Sequence, residues 1–127
     1  MPQTLKRIKM TNLERATALY AQVGQGQILE AFDKYYADNV VMEEPRGTRQ
    51  GKAACRASEE QFVASVEEFH GMEVRSIAED ASKGKVFVEV NMDLTFKGGQ
   101  RVTMEQVAAQ QWENGQIVHE RFYYDNQ

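Results

Sequence analysis

The stretch KVFVEVNMDLTF, residues 85–96, decides the fold. Apolar and polar side chains alternate along it, and this period of two is typical of a β-strand with one buried face. The apolar set comprises Val86, Val88, Val90, Met92, Leu94 and Phe96. The next residues, KGGQ, favour a hairpin turn, so residues 101–112 are predicted to return as a second strand. With further strands expected over 72–79 and 116–124, the second half of the chain forms a four-stranded antiparallel meander.

Helices are predicted upstream of this meander. Residues 11–14, TNLE, have the form of a capping box, and an apolar stripe follows them. A second helix is expected over residues 27–37, ended by Asp38-Asn39, and a third over residues 52–70 with Gly71 as its C-cap. The apolar stripe of the third helix consists of Cys55, Phe62, Val66 and Phe69.

A short strand is predicted between the second and third helices, over residues 40–44, and the turn Pro45-Arg46-Gly47 closes it. Helices that precede a run of strands favour an α+β domain in which the helices cover one face of an antiparallel sheet. A long meander twists and curls, so its concave face can leave a hollow, and small ligands usually bind in such hollows.

Composition limits the classes of function. The chain has 127 residues, 42% of them hydrophobic and 27% charged, with a net charge of −4. We therefore expect one domain over residues 11–127 behind a flexible leader of residues 1–10. The mild acidity argues against a nucleic-acid or anionic-membrane surface, since the only basic cluster, Lys6, Arg7 and Lys9, lies in the leader. A single cysteine excludes an internal disulfide, and no secretory signal or membrane-spanning run is present, so the predicted location is cytoplasmic.

Two segments carry a family resemblance. YYADNVVMEEPRG, residues 35–47, and WENGQI, residues 112–117, together with the order of elements, resemble the SnoaL-like branch of the nuclear transport factor 2-like superfamily. The resemblance covers nearly the whole chain beyond the leader. It implies a cone-shaped (cystatin-like) α+β fold, with three N-terminal helices packed on a curved antiparallel sheet. It also implies a homodimer through the outer face of the sheet.

Within this superfamily, ketosteroid isomerase gives the sharpest comparison. Its general base is an acid directly before a proline at the end of the first short strand, where Glu44 stands. Its oxyanion hole includes a carboxylic acid seven residues before the aromatic of the last hairpin, which is Glu105 when counted from Trp112. Its second donor is a tyrosine on the first helix, close to Tyr20. The resemblance thus implies Glu44 as base, with Glu105 and Tyr20 polarising the substrate.

The predicted pocket lining departs from the isomerase in its acids. Both carboxylates are glutamates in place of aspartates, and strand alternation turns Glu120 inward as a third acid. Glu120 is expected to share a proton with Glu105 or to pair with Arg46 or Arg101. The predicted substrate-binding residues are Met42, Val90, Met92, Glu120, Phe122 and Tyr124.

Each candidate also has a purely structural interpretation. Glu44 can cap the loop at Pro45, Glu105 can lie exposed on its strand, and Tyr20 can be a core residue with a satisfied hydroxyl. His119 and Arg121 face away from Glu120, where an ionic contact explains them. Two histidines without nearby ligand spacing predict no metal site.

The functional hypothesis is a cofactor-independent acid–base isomerase, cyclase or dehydratase acting on a small apolar carbonyl compound. The alternative hypothesis is a non-catalytic ligand-binding protein, or a scaffold dimer, with the same fold.

Overall fold

The computed structural model describes residues 10–125. Residues 1–9, which carry the predicted leader and its basic cluster, and residues 126–127 lie outside the described part. The elements in chain order are α1 (Asn12–Gly24), α2 (Ile28–Tyr35), β1 (Tyr36–Glu44), β2 (Gly47–Gln50), α3 (Lys52–Ser65), β3 (Val66–Asp80), a 3-10 turn (Ala81–Lys83), β4 (Lys85–Phe96), β5 (Arg101–Glu113) and β6 (Gln116–Tyr123). No helix within this part is long and apolar enough to cross a membrane.

One six-stranded sheet carries the three helices. Its strand order is β2-β1-β6-β5-β4-β3. Every neighbouring pair is antiparallel except β1 and β6, which run parallel. The predicted α+β fold, a cone of three helices on a curved and largely antiparallel sheet, is confirmed.

The meander forms where the sequence predicts it. Val86, Val88, Val90 and Leu94 of β4 are fully buried, as the alternating pattern requires. The turn between β5 and β6 places Asn114 at φ 53° and Gly115 at φ 79°. Asn-Gly tolerates this left-handed conformation and matches the twist of a hairpin, so the turn fixes the register of the last two strands.

The helices close the concave side of the sheet. The capping box predicted at the start of α1 is present, with reciprocal bonds between Thr11 and Glu14. On α2, Phe32 stacks on Tyr36 with ring centroids 4.6 Å apart. Arg56 of α3 donates two hydrogen bonds to the Asp33 carboxylate, at 2.8 and 2.9 Å, and so ties α3 to α2.

The third helix is shorter than predicted. It ends at Ser65, and β3 begins at Val66, so the expected helix over 52–70 is wrong in its last turn. Residues 66 and 69 continue the helical spacing of apolar side chains, but both pair with β4 instead. His70 and Gly71 therefore lie inside a strand, and His70 contacts the Thr95 hydroxyl at 2.7 Å. Pairing with a neighbouring strand overrides the local pattern here.

The region around β1 also differs from the prediction. α2 ends at Tyr35, and Asp38 and Asn39 lie within β1, not in a turn. Tyr36 pairs with Ile117 of β6, which draws the chain into the sheet earlier than expected. The edge strand β2 was not predicted, because its four residues, GTRQ, have no apolar alternation.

Candidate functional site

A fully buried carboxyl group, that of Glu120, lies at the centre of the inner face of the sheet. Its strand β6 pairs with β1 on one side, where Met42 is the partner, and with β5 on the other, where Gln110 is the partner. Paired residues share a face of the sheet, so Met42, Glu120 and Gln110 all point toward the helices. The inward orientation predicted for Glu120 is confirmed by its burial.

Hydrogen bonds hold both oxygens of Glu120. The Tyr36 hydroxyl donates to Oε1, and Gln110 Nε2 donates to Oε2 at 2.8 Å. The Trp112 indole N–H donates to Gln110 Oε1 at 2.9 Å, which fixes the orientation of the amide. The partners expected from the sequence, Glu105, Arg46 and Arg101, are not the partners of Glu120. Hydrogen bonds from the neutral side chains of Tyr36 and Gln110, the latter held by Trp112, take the place of the expected shared proton or ion pair.

This environment favours the protonated acid. Burial raises the pKa of Glu120 to about 7, although hydrogen bonds from Tyr36 and Gln110 oppose the rise. Burial also raises the pKa of the Tyr20 and Tyr36 hydroxyls well above its usual value, and the negative charge of Glu120 adds to that effect. Both tyrosines therefore remain hydrogen-bond donors across the neutral range.

Glu59 of α3 is a second acid of this kind. It is half-buried, and burial raises its pKa to about 7 against the opposing charge of Arg49. The charge of Glu59 in turn contributes to the raised pKa of Glu120 and Tyr20, so these groups lie within electrostatic reach of one another. We did not predict Glu59 as a site residue. The sequence does contain a signal for its inward position. Glu59 lies four residues after Cys55 and three before Phe62, on the apolar stripe of the helix.

Glu44 lies nearer the surface than Glu120, and its hydrogen-bond partners include a charged residue. It accepts hydrogen bonds from the Tyr124 hydroxyl and from Arg49 Nη2, the latter at 2.5 Å. Burial raises the pKa of Glu44, but these two bonds and the charge of Arg49 outweigh burial, so its pKa lies below the usual value. Glu44 is thus ionised at neutral pH, and its lowered pKa makes it a weak base.

Glu105 does not belong to this cluster. It lies exposed on β5 opposite Asn91, on the outer face of the sheet. Trp112 is buried on the inner face, and an odd spacing of seven residues reverses the face of a strand. The expectation that Glu105 and Tyr20 act on one substrate is therefore wrong, because the sheet separates them.

Part of the predicted apolar pocket lining is buried in the core. Met42 is 2% exposed and Val90 is fully buried, while Met92, Phe122 and Tyr124 are half-buried. Open grooves of about 230 and 310 Å³ lie on the outer face, beside Asn91 in both cases. The apolar ligand pocket on the inner face stays a prediction.

The outer face also carries the ionic contact expected for His119. Its Nε2 contacts the Glu43 carboxylate across the β1–β6 pair. Among residues 10–125, no group of three or more histidine, cysteine, aspartate or glutamate side chains could hold a metal ion.

Comparisons with known proteins place this architecture in a class. A nuclear transport factor 2-like protein of unknown function from Burkholderia pseudomallei superposes with a TM-score of 0.78 at 18% identity, covering 92% of each chain. A hypothetical protein with a ketosteroid isomerase-like fold from Catenulispora acidiphila, solved with trimethylamine, gives a TM-score of 0.74 at 17% identity and covers 91% of this chain and 88% of its own. The fold is that of the nuclear transport factor 2-like class.

The family follows from two further matches. The model of the SnoaL-like domain family matches residues 10–124. A proposed SnoaL-like polyketide cyclase from Mesorhizobium loti is 32% identical, with a TM-score of 0.77 over 91% of this chain and 100% of its own. A search of curated proteins found no match. The chain belongs to the SnoaL-like domain family.

Proposed function

We propose that this protein is a cofactor-independent enzyme that performs acid–base chemistry on a small, largely apolar carbonyl compound, as an isomerase, cyclase or dehydratase. The observation that carries the proposal is the Glu120 carboxyl, which is fully buried, hydrogen-bonded through both oxygens and has its pKa raised to about 7. A carboxyl with a pKa near the working pH can both remove and return a proton. Acids of this kind in a buried site are candidates for catalysis.

The proposed step is proton removal beside a carbonyl group. The C–H bond breaks, its proton passes to a carboxylate oxygen, and the electron pair becomes an enolate whose oxygen needs hydrogen-bond donors. Glu120 is the acid poised for this transfer, and the Tyr20 hydroxyl is the buried donor within electrostatic reach of it. In an isomerase the proton then returns to a different carbon. In a cyclase the enolate carbon attacks a second carbonyl carbon, whose oxygen takes the proton, and in a dehydratase a hydroxyl group leaves with the proton as water. None of these reactions needs a redox partner.

This proposal changes the roles that the resemblance implied. The resemblance implies Glu44 as the base, but hydrogen bonds from Tyr124 and Arg49 and the charge of Arg49 hold its pKa below the usual value. We assign Glu44 to the mouth of the site, where it orients Arg49. Proton transfer moves inward to Glu120.

The relatives support the class of chemistry only. The proteins from Mesorhizobium loti and, at 21% identity, Pseudomonas putida are proposed polyketide cyclases, and one from Bacillus subtilis is a proposed isomerase. Cyclisation and isomerisation of carbonyl compounds both begin by forming an enol or enolate. A single buried proton-transfer group is consistent with either reaction.

The test is exchange of the α-protons of cyclic ketones with D2O, followed by NMR, over a panel that includes cyclohexenone. The wild-type protein should accelerate exchange, and Glu120→Gln should reduce the rate by on the order of 100-fold or more. Glu105→Gln is the matched control on the exposed outer face and should exchange like the wild type. No acceleration by the wild type on any ketone of the panel would contradict the proposal.

A second candidate is a non-catalytic homodimer. Two observations favour it: Met42 and Val90 are packed where a ligand was expected, and Phe87 and Tyr123 are 39% and 49% exposed on the outer face. Large exposed apolar side chains on a sheet face often mark an interface. Light scattering should then give twice the chain mass, and Phe87→Glu should give a monomer. A monomeric wild-type protein would exclude this candidate.

A further inference from the structure

Arg49 carries a buried hydrogen-bond donor that has no acceptor. Its Nε is the one buried side-chain nitrogen or oxygen atom without a hydrogen-bond partner within residues 10–125. Buried polar groups in folded proteins are nearly always hydrogen-bonded, because losing the bond to water without replacement costs free energy. An acceptor atom on a bound ligand would satisfy this donor.

The other atoms of Arg49 have defined contacts. Its residue pairs with Met42 in the β1–β2 ladder, so its side chain lies on the inner side of the sheet. Its Nη2 forms an ion pair with Glu44 at 2.5 Å, and its carbonyl oxygen lies 3.6 Å from Cys55 Sγ. The side chain is 25% exposed, so a small molecule entering from solvent reaches the guanidinium before the buried core.

Glu59 lies one turn after Cys55 on α3, on the helix face whose Cys55 Sγ lies 3.6 Å from the Arg49 carbonyl oxygen. The charge of Arg49 lowers the pKa of Glu59, and that of Glu44 raises it, so the three groups are close in space. Within the described residues, however, the ion pair of Arg49 is with Glu44 and not with Glu59. Arg49 and Glu59 thus lie near one another without this ion pair, and the Glu59 carboxyl can donate a hydrogen bond below its pKa of about 7.

We propose that the Arg49 Nε–H and the Glu59 carboxyl group together bind the carbonyl oxygen of the ligand. This inference rests on the proposed function and names the atoms that recognise its substrate class.

A neutral carbonyl fits this subsite better than a carboxylate. Glu44 already pairs with the cation of Arg49, so a second carboxylate would add an uncompensated negative charge. A ketone oxygen accepts from two donors and adds no charge. When an enolate forms, its oxygen becomes more negative and both hydrogen bonds strengthen, which is how such donors stabilise a transition state.

The principal test uses Arg49→Lys with carbonyl-labelled cyclohexenone as the probe. Lysine keeps a cation for Glu44 but has no Nε–H in the plane of a guanidinium. In the wild-type protein the infrared C=O band of bound cyclohexenone should lie at lower frequency than in water. Arg49→Lys should lose most of that shift and bind about tenfold more weakly, which is the usual magnitude for one hydrogen bond to a charged donor.

Arg101→Lys is the matched control. Arg101 donates to Asp93 through its Nε at 3.1 Å and its Nη2 at 2.8 Å, but this pair is exposed on the outer face. The control should bind cyclohexenone with the wild-type band. A wild-type band and affinity in Arg49→Lys would overturn the subsite.

Glu59→Gln provides a second variant in case Arg49→Lys does not fold. The amide still donates a hydrogen bond, so binding should persist. In a Glu120→Gln background, which removes the other carboxyl with a pKa of about 7, Glu59→Gln should abolish the dependence of the C=O band on pH near 7. Retention of that dependence would contradict the role of Glu59. If the wild type accelerates α-proton exchange while both variants keep wild-type bands, the subsite alone fails. If the wild type neither exchanges α-protons nor binds cyclohexenone, the proposed function fails with it.

Discussion

The two faces of the central sheet carry the same residue types in different states. On the inner face, Glu120 and Gln110 are fully buried and hydrogen-bond each other across β5 and β6. On the outer face of the same strands, Glu105 and Arg121 are exposed. Glu120 and Arg121 are adjacent on β6, and alternation along the strand puts them on opposite faces, where burial decides their chemistry. The face of the sheet on which an acidic residue lies therefore decides whether it is a functional candidate.

The largest expected difference between the faces comes from removing one member of the inner cluster. Gln110→Ala leaves the buried Glu120 carboxyl and the Trp112 indole N–H without their partner. Because unpaired buried polar groups are costly, the free energy of unfolding should fall by about 3 kcal/mol. The outer-face control Glu105→Ala should change it by less than about 0.5 kcal/mol. Urea denaturation measures both, and equal effects would abolish the distinction between the faces.

The next difference is in pH dependence. The pKa of Glu120 is about 7 in the folded protein against 4.5 ordinarily, so the folded state binds more protons than the unfolded state between these values. This contribution to stability is fully present below pH 4.5 and is lost as pH rises to about 7, by on the order of 3 kcal/mol. Denaturation at about pH 5 and about pH 8 measures it. Glu120→Gln should reduce the slope, whereas Glu105→Gln should not, and Glu59, whose pKa is also about 7, should account for a remaining part. An unchanged slope in Glu120→Gln would show that other groups cause it.

Two tyrosines, one on each face, should differ by a smaller amount in their effect on stability. Tyr36→Phe removes the hydroxyl that donates to Glu120 and should cost about 1.5 kcal/mol, the usual value for a hydrogen bond to a charged or strongly polar partner. Because that bond lowers the pKa of Glu120, its loss should raise the pKa further. Tyr123→Phe on the exposed outer face should have almost no effect on thermal unfolding. A larger effect at Tyr123 than at Tyr36 would contradict the assignment.

The sequence is sufficient to predict the meander, because period-two alternation and an Asn-Gly turn are local signals. It also predicts the inward orientation of Glu120, which follows from the same alternation. It fails at the end of α3, where residues 66 and 69 satisfy both helical and strand spacing and only pairing with β4 decides between them. Edge strand β2 has no local signal at all.

The site is harder to predict than the fold, because it depends on partners that are distant in sequence. Gln110 meets Glu120 only through the register of β5 and β6, and a register shift between Gln111 and Trp112 precedes the turn. Tyr36 meets Glu120 across 84 residues of sequence. Glu105 was selected by counting from Trp112, and an odd count places it on the wrong face. The alternation of side chains along β5 by itself predicts that Glu105 and Trp112 lie on opposite faces.

The central claim is that Glu120 holds its proton near neutral pH. NMR titration of the glutamate side-chain carboxyl carbons tests it directly, with Glu120→Gln identifying the resonance and Glu105→Gln as control. We predict that the Glu120 resonance titrates with a pKa of about 7 and disappears in Glu120→Gln. Titration of that resonance at the ordinary value of 4.5 would contradict the account.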